Sequence, residues 1–180
     1  MKRDVLTAAA CVTAVLGAGG ALTTIGPWYE SLEVPRWQPP GWAFGPVWTV
    51  IGTLTGIAAV RSWRQALNRS ERRRLLALFA LNGGLNILWS ALFFKLRRPD
   101  LAMIETVPLW LSVLALILGL PRGRIPLAAS RTTWLLLPYL VWVATAAMLN
   151  RAVVLLNPPF SGAAYTGTAT PGIELQGSPS

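Results

Sequence analysis

The chain has 180 residues, of which 53% are hydrophobic and 13% charged, and its mean hydropathy is +0.49. Soluble domains carry about 25% charged residues, so the composition excludes an ordinary soluble protein and indicates an integral membrane protein. The net charge is +9, and the chain has no histidine. Histidine is the commonest metal ligand in proteins and the usual axial ligand of b-type haem, so we predict no metal site and no required cofactor.

Five segments are apolar enough and long enough to cross a bilayer as helices, which takes about 20 residues each. Their apolar runs are continuous rather than alternating, which favours helices over a membrane barrel. The sequence thus predicts an all-α bundle of five transmembrane helices in one domain, residues 1–156, and a disordered Pro/Gly/Ser/Thr-rich tail over 157–180. The first segment has the basic start of a signal peptide, but its apolar run is longer than usual, and we interpret it as a span. The predicted spans are 5–25, 42–60, 75–94, 101–120 and 132–150.

Basic residues are concentrated in the connections between the spans. Eleven of the sixteen fall on the side of the N-terminus, and five fall on the opposite side. Lysine and arginine accumulate on the cytoplasmic side of membrane proteins, so we predict a cytoplasmic N-terminus and a first loop on the opposite face. Because topology accounts for the charge, we predict no nucleic-acid binding. The eleven are Lys2, Arg3, Arg61, Arg64, Arg69, Arg72, Arg73, Arg74, Arg122, Arg124 and Arg131, and the five are Arg36, Lys95, Arg97, Arg98 and Arg151.

The first connection is rich in tryptophan and proline. Pro35, Pro39 and Pro40 fix the backbone, remove amide donors and push the preceding residues out of the helical region. We therefore expect residues 28–41 to form a stiff loop that acts as a lid on the bundle. The second span begins directly after this loop, and Pro46 is tolerated in its first turns because amide donors are unused there.

The third span carries polar and aromatic side chains on one face. Asn82, Asn86, Trp89 and Ser90 share this face by their helical spacing. Two amides inside a bilayer need hydrogen-bond partners. Two interpretations stay open: hydrogen bonds between helices, which contribute about 0.6 kcal/mol each, and contacts to a bound ligand.

The fourth span contains Glu105, the only acidic residue within a predicted span. It lies near the membrane boundary, where a long side chain reaches the surface. We predict that Glu105 is a structural carboxylate that pairs with Lys95, Arg97 or Arg98, rather than a proton carrier.

Three tryptophans on different spans lie at a similar depth. Counting about 1.5 Å per residue, Trp48, Trp89 and Trp142 lie roughly 8–13 Å below the non-cytoplasmic surface. This is too deep for the aromatic belt of a membrane interface. Two interpretations fit the depth: a flat aromatic cavity covered by the first loop, and ordinary packing of tryptophan between helices.

The order of these motifs resembles the translocator protein family, which includes the tryptophan-rich sensory proteins of bacteria and the peripheral benzodiazepine receptors of mitochondria. The resemblance covers about residues 1–157, and its motifs lie in the first loop and in three spans. They are Trp28-Tyr29-x-x-Leu32-x-x-Pro35-x-Trp37-x-Pro39-Pro40, Phe44-Gly45-Pro46-Val47-Trp48-Thr49, Leu85-Asn86-x-x-Trp89-Ser90-x-Leu92-Phe93-Phe94 and Leu137-Pro138-Tyr139-Leu140-x-Trp142.

The resemblance implies a five-helix membrane protein, usually a homodimer, with a pocket beneath the first loop. It implies binding and transport or sensing of a porphyrin such as protoporphyrin IX, or of a similar flat hydrophobic ligand, within membrane lipid. The alternative is light-dependent porphyrin breakdown in the same pocket. No acid–base pair, nucleophile or metal cluster marks a conventional enzyme, so we predict no catalytic residues. By position and depth, the predicted ligand-binding residues are Trp28, Trp37, Pro39, Trp48, Asn82, Asn86, Trp89, Tyr139, Trp142 and Ala146.

The sequence departs from the family pattern at three positions. Gly52 stands where many members have tyrosine, which we expect to widen or reshape the pocket. Asn82 stands where the family usually has glutamine, so the amide is one methylene shorter. Arg151 stands where animal members carry the tyrosine of a cholesterol-recognition motif, so that motif is absent from this sequence.

Overall fold

The computed structural model describes residues 2–119 and 131–157. Within these ranges every regular element is a helix, and five helices are long and apolar enough to cross a membrane. The predicted all-α five-span fold is therefore confirmed, whereas the predicted disordered tail lies outside the described residues apart from its first residue, Asn157. The helices are α1 (Lys2–Leu22), α2 (Pro27–Glu30), α3 (Gly41–Gln65), α4 (Arg69–Ser90), α5 (Pro99–Gly119), α6 (Arg131–Trp134) and α7 (Leu137–Leu156), and α4 continues as a π-helix over Ala91–Lys95.

The start of α4 is held by a pair of hydrogen bonds that resembles a capping box, with Glu71 bonded to the amide just before the cap residue Asn68. The Asn68 side chain accepts a hydrogen bond from the Glu71 amide at 2.9 Å, and the Glu71 carboxylate accepts one from the Leu67 amide at 2.8 Å. Such reciprocal bonds satisfy amide donors that a helix start leaves open. The helix therefore begins at Arg69, ahead of the apolar run that starts the predicted span at residue 75.

The bundle is built around α5, which packs between α4 and α7. Leu109, Val113 and Leu116 of α5 join Val143 of α7 in the main apolar core. The buried Asn150 amide of α7 donates to the Pro99 carbonyl at 3.0 Å and accepts from the Met103 amide at 2.9 Å, in the orientation that satisfies both of its polar atoms. These contacts fix α7 against the first turn of α5.

Helix α1 lies on the outside of α3 and α4 and approaches them at glycines. A Cβ atom at Gly52 of α3 would lie 2.6 Å from Leu16 Cδ1, and one at Gly83 of α4 would lie 3.0 Å from Val15 Cγ2. Small residues allow this close approach of helices in a membrane. The space opened by Gly52 is therefore occupied by the α1 side chain of Leu16.

The two ends of the bundle differ in composition, and we name them for what they carry. The loop end holds the first connection, the turn between the π-helix and α5, and the end of α7. The arginine end holds the start of α1, the end of α3 and the start of α4. Placement of the arginine end in the cytoplasm stays a prediction. The loop end comprises residues 23–40, 96–98 and 151–157, and the arginine end comprises residues 2–4 and 61–74.

The first loop is packed onto the end of α4. The buried Trp28 ring meets Phe93 edge to face, with centroids 6.1 Å apart, and Arg97 Cζ lies 5.8 Å from the centre of the Trp28 ring. Arg97 adopts the left-handed backbone conformation, with φ of 53°. This conformation is uncommon for a residue other than glycine, and here it accompanies the stacking of the guanidinium on the indole.

The end of α7 holds the same loop by its backbone. The Asn157 side chain accepts from the Glu33 amide and donates to the Glu33 carbonyl, each at 2.8 Å. Burial raises the pKa of the neighbouring Tyr29 phenol above its usual value, and a hydrogen bond with Gln38 opposes that rise. The phenol therefore stays protonated at neutral pH, and the loop is held by neutral contacts as well as by Arg97.

The prediction for Glu105 is wrong. Its carboxylate is buried on the core face of α5, and neither oxygen has a hydrogen-bond partner among the described residues. Arg98 forms a salt bridge with Asp100, whose Oδ1 accepts a hydrogen bond from Arg98 Nε at 2.8 Å. Depth along the helix correctly placed Glu105 near the basic turn, but the rotation of α5 directs the side chain into the bundle and away from Lys95, Arg97 and Arg98.

Candidate functional site

An elongated cavity of about 320 Å³ lies between α1, α3 and α4. This volume is at the lower end of the range of about 300–1,000 Å³ that is typical of ligand pockets. The cavity runs from Trp48, Asn86 and Tyr139 on the side of the loop end to Arg3 and Asp4 at the arginine end. Its walls between these ends are almost wholly apolar.

A buried hydrogen-bonded network forms the floor of the cavity near the loop end. Asn86 Nδ2 donates to the Tyr139 hydroxyl at 3.2 Å, and this hydroxyl donates to Asn82 Oδ1 at 3.3 Å. Asn82 Nδ2 in turn donates to Ser112 Oγ at 2.8 Å. The network joins α4, α5 and α7, so the two amides do bond between helices, and they line the cavity as well.

An aromatic pair stands beside this network. The rings of Trp48 on α3 and Tyr139 on α7 meet edge to face, with centroids 6.1 Å apart and an angle of 70° between the planes. Such a geometry is favoured by the quadrupoles of the two rings. The face of the half-buried indole is thus held in one orientation at the cavity wall.

The sequence comparisons agree with this architecture. The model of the TspO/MBR family matches residues 7–156. The chain belongs to the TspO/MBR family. It is 34% identical over 163 residues to the tryptophan-rich protein TspO of Chlorobaculum tepidum, covering 88% of this chain and 100% of that protein.

Two further relatives show the range of the TspO/MBR family. The protein CrtK of Rhodobacter capsulatus is 36% identical over 153 residues, covering 83% of this chain and 89% of that protein. The translocator protein of Sus scrofa is 35% identical over 127 residues, covering 70% of this chain and 72% of that protein. Bacterial and animal members are therefore both similar to most of the described bundle.

The structure brings together four of the ten predicted site residues of this TspO/MBR protein. Trp48, Asn82, Asn86 and Tyr139 all line the cavity. Of the face predicted for α4, Asn82 and Asn86 therefore line the cavity, whereas Trp89 and Ser90 do not. The loop does not contribute to this cavity in the described part of the chain.

The other six predicted residues lie elsewhere. Trp89 stacks on Phe93 with centroids 5.1 Å apart, next to the buried Trp28. Trp37 is 52% exposed in the loop. Trp142 packs edge to face on Phe44, with centroids 5.6 Å apart, and lines a second, more open cavity of about 660 Å³ between α3 and α7. The six residues that do not line the cavity are Trp28, Trp37, Pro39, Trp89, Trp142 and Ala146.

The α1 wall of the cavity was not among the predicted site residues. Val12, Val15 and Leu16 line the cavity with the exposed thiol of Cys11. Their spacing of three and four residues was visible in the sequence. The positions of α1 after Asp4 are nearly all apolar or small, however, so the pattern did not mark one face.

The arginine end of the cavity was also missed. Arg3 and Asp4 line it together with Trp63, and Arg72 Cζ lies 5.0 Å from the centre of the Trp63 ring. Asp4 Oδ2 pairs with Arg64 Nε at 3.4 Å and so links α1 to α3. The sequence feature that could have indicated this end of the cavity is Asp4, the single acidic residue at the start of the first span, on the same side as the arginine-rich connection.

Proposed function

We propose that this TspO/MBR protein is a membrane-embedded binding protein for porphyrin-type tetrapyrroles or similar flat hydrophobic ligands, acting in transport or sensing. The observation that carries the proposal is the cavity between α1, α3 and α4, which combines long apolar walls with one aromatic and amide-rich end. Porphyrins are the ligand class that the resemblance to the translocator protein family implies, and protoporphyrin IX is the representative we propose to test.

The chemistry of the cavity suits a flat macrocycle. An indole ring offers an apolar face for stacking, and Trp48 supplies one at the cavity wall, supported by the buried Tyr139. Asn86 Oδ1 accepts no hydrogen bond from the described residues, so it is available to a donor group of the ligand. Because the chain has no histidine to serve as an axial ligand, we propose the metal-free macrocycle rather than haem.

The test is a titration of protein in zwitterionic nanodiscs with protoporphyrin IX, followed by quenching of tryptophan fluorescence. Trp48→Phe removes an indole from the cavity, and Trp142→Phe removes one at similar depth outside it. Loss of one aromatic contact of about 0.5–1.5 kcal/mol corresponds to weakening of about twofold to tenfold. We expect this loss in Trp48→Phe and unchanged affinity in Trp142→Phe.

Weaker binding in Trp142→Phe together with unchanged affinity in Trp48→Phe would contradict the assignment of the cavity. Absence of saturable quenching in the unchanged protein would contradict the proposed function itself. Folding of each variant is checked by its helical circular dichroism and thermal unfolding, since Trp48 also packs on Tyr139.

A further inference from the structure

The two ends of the cavity offer different chemistry to a ligand. Near the loop end its polar groups are neutral amides and a phenol. There α1 also packs closely on α4: a Cβ at Gly19 would lie 3.5 Å from Ser90 Oγ and 4.0 Å from Asn86 Oδ1. At the arginine end the lining residues include Arg3 and Asp4, the only charged residues that line the cavity in the described chain.

The stretch between the two ends excludes charge. Val12, Ile51, Leu75 and Phe79 line it, and its polar side chains are uncharged: Thr7, Cys11 and Thr55, whose Oγ1 is buried without a partner among the described residues. Burying an ionised carboxylate without a partner is strongly unfavourable. A ligand with a flat apolar body and an acidic edge therefore fits the cavity in one direction only.

The arginine end has cationic groups within reach of such an acidic edge. Arg3 is exposed, and no described carboxylate pairs with it. Beside it Arg64 pairs with Asp4, with 42% and 31% of the two side chains exposed. An exposed ion pair is weak, so a ligand carboxylate competes effectively with Asp4 for the guanidinium groups.

We infer that a dicarboxylic tetrapyrrole binds with its carboxylates at the arginine end, where Arg3 is the main contact, and with its ring toward Trp48. The inference rests on the proposed function and adds the orientation of the ligand. It also makes the arginine end, rather than the first loop, the route of entry. The loop is held on the π-helix that continues α4 and on the end of α7.

The experiment compares protoporphyrin IX with its uncharged dimethyl ester in zwitterionic nanodiscs, so that no anionic lipid supplies a competing headgroup. We expect the unchanged protein to prefer the acid about tenfold. Arg3→Gln lowers this preference to about twofold, whereas Asp4→Asn strengthens binding of the acid about twofold to threefold by removing a competing carboxylate. Arg36→Gln, in the loop on the opposite side, is the matched control and leaves the preference unchanged.

The inference is overturned if the preference for the acid survives Arg3→Gln or is lost in Arg36→Gln. The ester separates this failure from failure of the proposed function, because ester binding depends on Trp48 and not on Arg3. If Trp48→Phe weakens ester binding while Arg3→Gln leaves the acid preference unchanged, the cavity assignment stands and the orientation is wrong. If neither compound binds saturably, the proposed function itself fails.

Discussion

Helices α1 and α5 are both 21 residues long and both apolar enough to span a membrane, yet they have opposite roles. Nine residues of α5 are buried, whereas in α1 only Gly19 is buried. Helix α5 is the centre of the bundle, and α1 is a wall laid over the groove between α3 and α4. Hydropathy places both in the membrane, but only packing distinguishes the buried core helix from the helix that borders the cavity.

The largest effect on stability is expected for a truncation in α5. Leu116 is fully buried, so Leu116→Ala leaves a cavity and costs about 2–4 kcal/mol. The matched change Leu6→Ala in α1 affects a side chain that is 67% exposed, and we expect almost no loss. Thermal unfolding in detergent measures the difference, with a midpoint about 4–16 °C lower for Leu116→Ala. Equal midpoints for the two variants would contradict the contrast between α1 and α5.

A smaller effect is expected for the network that ties α5 to its neighbours. Tyr139→Phe removes the hydroxyl that links Asn86 to Asn82, and leaves both amides with an unpaired atom. The expected loss is about 1–2 kcal/mol. Tyr29→Phe at the loop end is the control, because its ring lies outside the core of the bundle. A midpoint that falls further in Tyr29→Phe would show that the network is not part of the stable core.

The smallest effect on global stability is expected for the hydrogen bonds that hold the first loop to Asn157. Asn157→Ala removes both bonds to the Glu33 backbone, so hydrogen exchange at the Glu33 amide should accelerate about tenfold or more while the unfolding midpoint hardly changes. Affinity for protoporphyrin IX should stay within about twofold, because the loop does not line the cavity. Ser31→Ala in the same loop is the control. A large loss of affinity in Asn157→Ala would show that the loop covers the ligand site.

The fold was predictable because each span is a local property of the sequence. Continuous apolar runs of sufficient length define the five helices whatever their neighbours are, and helical spacing put Asn82 and Asn86 on one face. The start of α4 could have been predicted more closely, since Asn68 and Glu71 have the spacing of a capping box.

The arrangement of the site was less predictable because it depends on how each helix is rotated about its axis. Depth placed Glu105 near basic residues, but the rotation of α5 turned it into the core. Depth likewise grouped Trp89 and Trp142 with Trp48, although they face Phe93 and Phe44 instead. Sequence spacing gives the face of a helix, and only tertiary packing decides which neighbour that face meets.

The most direct test of the cavity between α1, α3 and α4 as the ligand site is the affinity of Gly52→Phe for protoporphyrin IX. A side chain at Gly52 collides with Leu16, whose Cδ1 would lie 2.6 Å from the new Cβ, so the ring displaces the α1 wall or fills the cavity. Gly20→Phe on α1 is the control, because its Cβ meets no atom within 4 Å. We predict that Gly52→Phe weakens binding at least about tenfold and that Gly20→Phe binds as the unchanged protein does. Unchanged affinity in a folded Gly52→Phe variant would contradict the assignment of this cavity.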